Sequence, residues 1–193
     1  MSNSIENTDG QFANGQNRRD LLINSEPKTQ LDLNATQQLQ DMRPDQFPAP
    51  IGKLLGLKLL QAENGMAVVE FIADERHANP AGTLHGGVLC DLADAAMGFA
   101  YYTTLAADES LTTLELKINF LRPVWKATLR AKARVVRAGR FVGFVECDVV
   151  DEQERLVARA SSTCMTLRGQ LAEGRQLPGE LTGQSHATTR SVN

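Results

Sequence analysis

One long and almost uncharged segment, residues 88–105, constrains the fold of this chain more than any other feature. Its alanine and leucine content predicts a helix, about 27 Å long at 1.5 Å per residue. Only Asp91 and Asp94 interrupt its apolar character, and they argue against a membrane span. Because a helix this apolar must be covered on most of its sides, we expect a sheet to curl around it.

Segments that are typical of strands flank this helix on both sides. Two of them, 54–62 and 66–73, precede it and are joined by Asn64-Gly65, a strong signal for a two-residue hairpin turn. Four more are predicted after it, at 112–121, 128–136, 141–150 and 156–167. Alternating apolar and polar residues indicate an antiparallel sheet with one buried and one solvent-exposed face. The fold class is therefore α+β, with one central helix and about six strands.

The alternation also predicts which side chains face the core. In the segment 112–121 four apolar residues share the predicted buried face, namely Leu114, Leu116, Ile118 and Phe120. In the segment 128–136 three basic residues share the predicted solvent face, namely Arg130, Lys132 and Arg134. On the helix, Asp91, Asp94, Gly98, Tyr101 and Tyr102 are predicted to lie on one face, opposite an apolar stripe.

Composition divides the chain of 193 residues into three parts. Residues 1–46 are rich in asparagine and glutamine, which predicts an extension that is largely disordered, with a short helix at about 34–42. Residues 47–168 form the predicted folded domain. Residues 169–193 contain four glycines without periodicity, so we expect a flexible tail.

Charge and cysteine content narrow the class of protein. The formal net charge of −3 does not suggest nucleic-acid binding, and the polar N-terminus lacks the apolar stretch of a secretory signal. Three widely spaced cysteines predict neither a disulfide framework nor a zinc site. His77 and His85 do not share a metal-ligand spacing, and His77 is interpreted as a loop histidine. We therefore expect a cytoplasmic protein without a metal.

A glycine-rich turn leads directly into the helix. Gly82, Gly86 and Gly87 bracket His85, and the first N–H groups of a helix have no partners within it. Such an end, where the helix dipole is positive, can bind an anion or a carbonyl oxygen that gains charge during a reaction. An ordinary helix entry without a ligand is the alternative.

Asp94 is the candidate for acid–base chemistry. It is surrounded by alanines and Met97, and an apolar environment raises the pKa of a carboxyl group, which suits a general base or a nucleophile. A purely structural aspartate is the alternative, and more so for Asp91. Asp94 follows His85 by nine residues, about 13 Å along the helix and on its opposite side. If both act on one substrate, they must come from different chains of a homodimer.

The sequence at this point resembles the PaaI-like hotdog-fold acyl-CoA thioesterases, relatives of 4-hydroxybenzoyl-CoA thioesterase. The motifs that carry the resemblance are Asn79-Pro80-Ala81-Gly82, His85-Gly86-Gly87, Leu92-Ala93-Asp94 and TLELKINFLRP at 113–123. It implies a central helix wrapped by a curved antiparallel sheet, in dimers with a continuous sheet and often in tetramers. The extensions at both ends lie outside it.

The resemblance also implies roles for individual residues. Asp94 matches the acid that attacks the thioester carbonyl or activates water. Gly86, through its backbone N–H and with His85 nearby, matches the group that polarises this carbonyl. Asn79 lies near the site in the family, and Thr113 matches a hydroxyl that orients the nucleophilic water. The expected substrate is an acyl-CoA, so that coenzyme A belongs to the substrate and no separate cofactor is expected.

Eight basic residues and no acidic ones lie between residues 117 and 140. Such a patch would attract the phosphates of coenzyme A, and Arg137 and Arg140, which flank Gly139 in a predicted turn, are the candidate contacts together with Arg122. A merely solvated sheet face is the alternative. Nucleic acid is disfavoured because aromatic residues do not interleave with the charges.

Two other functions remain open from the sequence. One is a hotdog protein that binds acyl-CoA as a ligand sensor without hydrolysing it. The other is a dehydratase that acts on hydroxyacyl thioesters. A carboxylate at the position of Asp94 favours hydrolysis over both.

Overall fold

The computed structural model describes residues 47–175, and it confirms the predicted helix wrapped by an antiparallel sheet. The chain forms α1 (Pro50–Leu55), β1 (Lys58–Glu63), β2 (Met66–Ala73), α2 (Gly86–Tyr102), β3 (Ser110–Phe120), β4 (Ala127–Ala138), β5 (Val142–Val150) and β6 (Leu156–Leu167). The sheet order is β1-β2-β4-β5-β6-β3, and every neighbouring pair is antiparallel. The predicted helix at 34–42 lies outside the described residues.

The central helix α2 begins two residues earlier and ends three residues earlier than its apolar segment predicts. At its start the His85 Nδ1 accepts a hydrogen bond from the Gly87 N–H over 2.8 Å. At its end the Thr103 hydroxyl donates to the Ala100 carbonyl over 2.8 Å. Both ends are thus closed by polar side chains, which an apolar pattern alone does not reveal.

The predicted hairpin between β1 and β2 is confirmed. Asn64 and Gly65 both have positive φ angles, 49° and 73°, as the tight turn between two twisted strands requires. The turn is tied to two other elements, because the Gly65 N–H donates to the Thr103 hydroxyl and its carbonyl accepts from the Val135 N–H. It therefore anchors the end of α2 to β4.

The sequence predicts a single strand at 54–62, and this prediction is wrong. The structure has the end of α1 there, followed by β1. Pro50 occupies the first turn of α1, and Gly56 closes the helix in the left-handed region at φ 74°. Proline at the start of a helix and glycine just after its end are characteristic boundaries. The apolar run of 54–62 extends across the second boundary, so the pattern alone predicts one strand.

The core lies between α2 and the concave face of the sheet. Leu92, Ala93, Ala96 and Ala100 of α2 are completely buried against it. Along β4 the predicted alternation is confirmed, with Leu129, Ala131, Ala133 and Val135 buried and the basic residues between them directed outward.

Tyr101 is buried, although the sequence predicts it on the polar face of the helix with Asp94. Its hydroxyl forms a 2.8 Å hydrogen bond with that of Thr166 on β6. Its ring fills the space above Gly143 of β5, where a Cβ atom would lie 2.1 Å from a ring carbon. Tyr101 lies at the boundary between the two helix faces. Its side chain packs inward because Gly143, which has no side chain, leaves an opening in the sheet.

The prediction of a buried apolar face on β3 is confirmed only for half of its residues in the single protomer: Leu116 and Ile118 pack half-buried against the core, whereas Leu114 and Phe120 do not. β3 is an edge strand, and a bulge between Thr113 and Glu115 shifts its register. Leu114 and Phe120 are more than half exposed, at 57% and 54%. Periodicity predicted the strand itself but not its place at the edge of the sheet, which depends on long-range pairing.

The ends of the described chain pack on this body. Phe47 is buried, and beyond the predicted domain boundary at residue 168 a short 3₁₀ helix, Gly169–Ala172, buries Ala172. The three cysteines are free. No helix within the described residues is long and apolar enough to cross a membrane.

Candidate active site

Asp94 and Thr113 meet in a cavity of about 270 Å³ beside the middle of α2. The Thr113 hydroxyl donates a hydrogen bond to Asp94 Oδ1 over 3.0 Å. Apolar side chains from α1 and the residues that flank it, from α2 and from β3 form most of the remaining lining, with Phe47, Leu57, Phe99 and Leu111 among them. A carboxylate held by one hydroxyl in an apolar cavity is suited to accept a proton or to attack an electrophile.

Burial raises the pKa of Asp94 above its usual value. The hydrogen bond from Thr113 acts in the opposite direction, and the negative charge of nearby Asp91 adds to the increase. The sequence predicted this direction from the alanines that surround Asp94, and the structure confirms it.

Asp94→Asn is expected to increase the stability of the fold at neutral pH. Because the folded-state pKa of Asp94 is raised, its ionisation opposes folding, so its contribution to stability is most favourable below the unfolded pKa near 3.8 and is lost as pH rises through the folded value. Asparagine retains an acceptor for Thr113 and carries no charge. Thermal unfolding of both proteins from pH 3 to pH 8 measures the effect. A stability difference that stays constant over this range would contradict it.

The His85–Gly86 turn forms a second polar centre. His85 is exposed, and its ring closes the first turn of α2 through Gly87. The Gly86 N–H has no hydrogen-bond partner among residues 47–175 and lies at the positive end of the helix dipole. The Phe120 ring at the end of β3 lies against Gly86, 3.0 Å from where a Cβ atom would be.

Asn79 shapes the loop before this turn. Its Oδ1 accepts hydrogen bonds from the N–H groups of Ala81 and Thr83, at 2.9 and 3.3 Å, and its Nδ2 donates to the Thr83 hydroxyl. These contacts hold the loop in place. The role of Asn79 beside a reacting water stays a prediction.

Within one protomer the two polar centres do not share a cavity. Asp94 and Thr113 line the cavity, and His85, Gly86 and Asn79 do not. Nine residues of helix separate His85 from Asp94, and they place the two side chains on opposite sides of α2. This is the separation that the sequence predicted for a single chain.

Three basic residues of β4 are paired with glutamates and do not form a free positive surface. The ion pairs are Arg130–Glu70, Lys132–Glu154 and Arg134–Glu146. The run of basic residues had no acidic neighbour in sequence, but cross-strand register places Glu70 opposite Arg130 and Glu146 opposite Arg134, and the turn between β5 and β6 supplies Glu154.

The remaining candidate arginines lie at the two ends of β4. Arg122 borders a surface hollow of about 330 Å³ with Trp125 and Lys126, before the strand begins. Arg137, Gly139 and Arg140 lie at the other end, about 40 Å away for twelve extended residues. Gly139 is required there, because a Cβ atom would lie 2.6 Å from the Val142 carbonyl oxygen. One protomer does not bring these arginines together.

Sequence reasoning missed the contribution of the N-terminal segment to the cavity. Phe47, Ala49, Ile51, Leu55 and Leu57 all line it. Pro50 and Gly56, which mark the boundaries of α1, were the sequence signal that could have indicated this contribution. Phe99 and Tyr102 of α2 also line the cavity, whereas Met97 and Tyr101 belong to the core.

Potential metal ligands do not cluster in this region. Within residues 47–175 no three His, Cys, Asp or Glu side chains are grouped to hold an ion. The His77 ring packs on Phe71, and its Nδ1 accepts a 3.2 Å hydrogen bond from the Asp74 N–H, in agreement with its interpretation as a loop histidine.

Comparison with known proteins connects this geometry to a family. Residues 81–158 match the family described as the thioesterase superfamily. A Saccharolobus solfataricus protein, named only provisionally as an esterase, is 36% identical over 61% of this chain and 84% of its own length. The Escherichia coli acyl-coenzyme A thioesterase PaaI is 35% identical over 55% of this chain and 74% of its own length.

The solved structures extend the likeness to the fold. The structure of the E. coli PaaI protein, from the phenylacetic acid degradation operon, has a TM-score of 0.62 and 28% identity to this chain. The superposition covers 72% of this chain and 97% of the E. coli protein. The similarity thus includes both the turn before α2 and the sheet that surrounds the helix.

Proposed function

The chain belongs to the thioesterase superfamily as a PaaI-like hotdog protein, and we propose that it hydrolyses an acyl-CoA to a free acid and coenzyme A. The observation that carries this proposal is the Asp94–Thr113 pair in an apolar cavity, on the family's fold. The thioester is an activated substrate whose thiolate leaves readily, so that one carboxylate and one donor to the carbonyl oxygen are sufficient machinery.

The proposed reaction uses Asp94 in one of two ways. As a general base, it takes a proton from water while the water oxygen forms a bond to the thioester carbon. As a nucleophile, its own oxygen forms that bond, and water later hydrolyses the resulting anhydride. In both cases the carbon–sulfur bond breaks and the departing thiolate takes up a proton. The Thr113 hydroxyl, hydrogen-bonded to Asp94, holds the carboxylate in place.

The carbonyl oxygen would be stabilised at the His85–Gly86 turn. Negative charge develops on this oxygen as the bond to carbon forms, and the unpartnered Gly86 N–H at the start of α2 is a suitable donor. His85 closes the same turn by accepting a hydrogen bond from the Gly87 N–H, and it does not occupy the Gly86 N–H.

A second copy of the chain would bring the two polar centres together. β3 offers an unpaired edge with exposed Leu114 and Phe120 for antiparallel pairing with the same strand of a partner. A two-fold axis between residues 116 and 117 would set Thr113 opposite the partner's Phe120. Since Phe120 lies against Gly86 in each chain, this pairing would carry the partner's Gly86 toward Asp94. A homodimer with two composite sites follows, and it can associate further into a tetramer.

The same pairing supports the proposed contacts with coenzyme A. Antiparallel strands bring the Phe120 end of one chain to the Ser110 end of the other. Arg122 follows the first of these ends, and Arg137 at the end of β4 and Arg140 in the β4–β5 turn lie near the second. Within one protomer, Arg122 lies about a strand length from Arg137 and Arg140. In the dimer, arginines from both chains would therefore approach the coenzyme A phosphates.

Leu114→Lys is expected to convert the dimer into monomers with at least tenfold lower thioesterase activity, because it places a charge in the proposed β3–β3 interface. Val136→Lys is the matched control, since Val136 is also an exposed apolar residue at a bulge but lies on the interior strand β4. Sedimentation velocity and thiol release measure the two properties. A dimeric Leu114→Lys protein, or a wild type that is monomeric and active, would contradict the proposed interface.

Thiol release from a panel of substrates tests the function itself. The panel contains short, medium and long acyl-CoAs, phenylacetyl-CoA and an acyl-carrier-protein thioester, and a p-nitrophenyl oxygen ester is followed separately by release of p-nitrophenol. The proposal predicts turnover of CoA thioesters at a kcat/KM well above that for the oxygen ester. Tight binding of acyl-CoA without turnover would instead support the ligand sensor, and an enoyl product from a hydroxyacyl-CoA would support the dehydratase.

Two expectations accompany this proposal. The reaction needs no cofactor beyond the coenzyme A of the substrate, and it takes place in the cytoplasm. Both stay predictions, and activity of the purified protein after treatment with a chelator measures the first.

A further inference from the structure

The cavity beside Asp94 is bounded on one side by Phe47. This residue is only 3% exposed, and its ring packs edge-on against Phe99 of α2, with centroids 5.4 Å apart and ring planes at 90°. Both rings line the cavity that contains Asp94. The N-terminal segment therefore supplies an aromatic wall to a site whose reactive groups come from α2 and β3.

Gly52 of α1 provides the seat for this ring. A Cβ atom on Gly52 would lie 2.0 and 2.2 Å from two carbons of the Phe47 ring, closer than any real contact. α1 is itself fixed, because the Leu57 N–H donates to the Gly52 carbonyl over 2.8 Å and Gly56 ends the helix. Phe47 is therefore held in one position, between the backbone of α1 and the side chain of Phe99.

The helix α2 sets the distance between this wall and the carboxylate. Phe99 follows Asp94 by five residues, about 7.5 Å along the helix axis at 1.5 Å per residue. The cavity volume is about 270 Å³. At about 30 Å³ for each water-sized group, it accommodates about nine non-hydrogen atoms, enough for the carbonyl oxygen and the eight carbons of an acyl group, the carbonyl carbon included.

The chemistry of the lining indicates what this space accepts. The charged residues that line it are Asp91 and Asp94, both acidic and both on one face of α2. Around them lie Phe47, Leu55, Leu57, Phe99 and Leu111. A neutral apolar chain gains free energy there, whereas a distal carboxylate would be desolvated and repelled by the aspartates.

We infer that Phe47, seated on Gly52, is the end wall of the acyl pocket and limits efficient hydrolysis to neutral acyl groups of about eight carbons or fewer. This inference rests on the proposed function and adds a specificity-determining residue to it. Phe47 lies outside the residues 81–158 that match the family model.

Two measurements on a series of straight-chain acyl-CoAs with 4, 8, 12 and 16 carbons test the inference. The first is kcat/KM by thiol release. For the wild type we expect it to fall at least tenfold between 8 and 12 carbons. For Phe47→Ala we expect at least a tenfold gain at 12 carbons and less than threefold change at 4 carbons. Gly52→Ala, which displaces the Phe47 ring, should act in the same direction. Leu54→Ala is the matched control, because Leu54 lies on α1 but is 80% exposed and outside the cavity.

The second measurement is calorimetric binding of the same series to Asp94→Asn, which does not depend on turnover. Affinity should rise about fourfold for each added methylene until the wall is reached, and then stop rising. Adding Phe47→Ala should move this limit to longer chains. Absence of turnover together with a length limit in binding would refute the proposed function and leave the end wall supported.

Three results would overturn the inference. One is equal wild-type kcat/KM for 8 and 16 carbons. Another is an equal loss of kcat/KM for all chain lengths in Phe47→Ala, which is the result expected if the Phe47 side chain only stabilises the fold. The third is a shift in length preference in Leu54→Ala as large as that in Phe47→Ala.

Discussion

Asp94→Asn is expected to lower kcat/KM for acyl-CoA hydrolysis by about 10²–10⁴-fold, the usual cost of losing a general base or its equivalent. Asparagine has nearly the same shape as aspartate and can still accept the hydrogen bond from Thr113. In the wild type this hydrogen bond to Asp94 is 3.0 Å long. It cannot take a proton from water or form a bond to the thioester carbon. Because the fold should gain stability at neutral pH, loss of activity cannot be attributed to unfolding.

The control for this experiment is Asp91→Asn. Asp91 precedes Asp94 by less than one helical turn and lines the same cavity, but it is exposed and forms no hydrogen bond to Thr113. We expect less than a tenfold loss of kcat/KM. Thiol release under single-turnover and steady-state conditions distinguishes the chemical step from product release. Equal losses in both variants would mean that only negative charge is needed, and an active Asp94→Asn would remove Asp94 from the mechanism.

Gly86→Pro is expected to lower kcat by about 10²–10³-fold, the usual cost of removing one donor to the developing oxyanion. Gly86 is the first residue of α2, where proline is tolerated because its missing N–H has no partner within the helix. His85 already has φ −65° and ψ 131°, which suits a residue that precedes proline. The substitution therefore deletes a single N–H and leaves the backbone path intact.

Gly86→Ala is its matched control. It adds the same Cβ atom against the Phe120 ring, at 3.0 Å from its nearest carbon, and retains the N–H. Activity close to that of the wild type is expected. If alanine and proline were equally damaging, the cause would be contact with Phe120 and not the lost donor, and thermal unfolding of both variants would show whether the helix start is affected.

The two inactive variants together test the composite site. Asp94→Asn and Gly86→Pro protomers that mix randomly form heterodimers in half of the dimers, each with one intact site, so that about a quarter of wild-type activity should return. A site built within one protomer would regain nothing. Exchange of subunits must be verified, for example by mass measurement of differently tagged chains.

The sequence predicted those features of the fold that arise from local periodicity. The apolar run of α2, the Asn64-Gly65 turn and the alternation along β4 each reflect interactions between near neighbours in the chain, and the structure confirms all three. The opposite placement of His85 and Asp94 also follows from helix geometry alone. The raised pKa of Asp94 was predictable because its closest neighbours in sequence are alanines.

The remaining features depend on contacts between distant residues. No local pattern identifies β3 as an edge strand, so Leu114 and Phe120 were wrongly expected in the core of the protomer. The glutamates that neutralise Arg130 and Arg134 come from other strands, and their positions require the register of the sheet. Phe47 reaches the cavity through its contact with Phe99 of α2, which neither proline spacing nor composition specifies.

The opening in β5 above Gly143 determines the rotational setting of α2. With its ring in this opening and its hydroxyl on Thr166, Tyr101 prevents the helix from turning about its own axis. A rotation by one residue, about 100°, would carry Asp94 away from Thr113 and into the sheet. The packing of Tyr101 thus fixes the direction in which the Asp94 carboxylate faces, although the two residues lie almost two helical turns apart. Any side chain larger than hydrogen at position 143 should misalign the site before it destroys the fold.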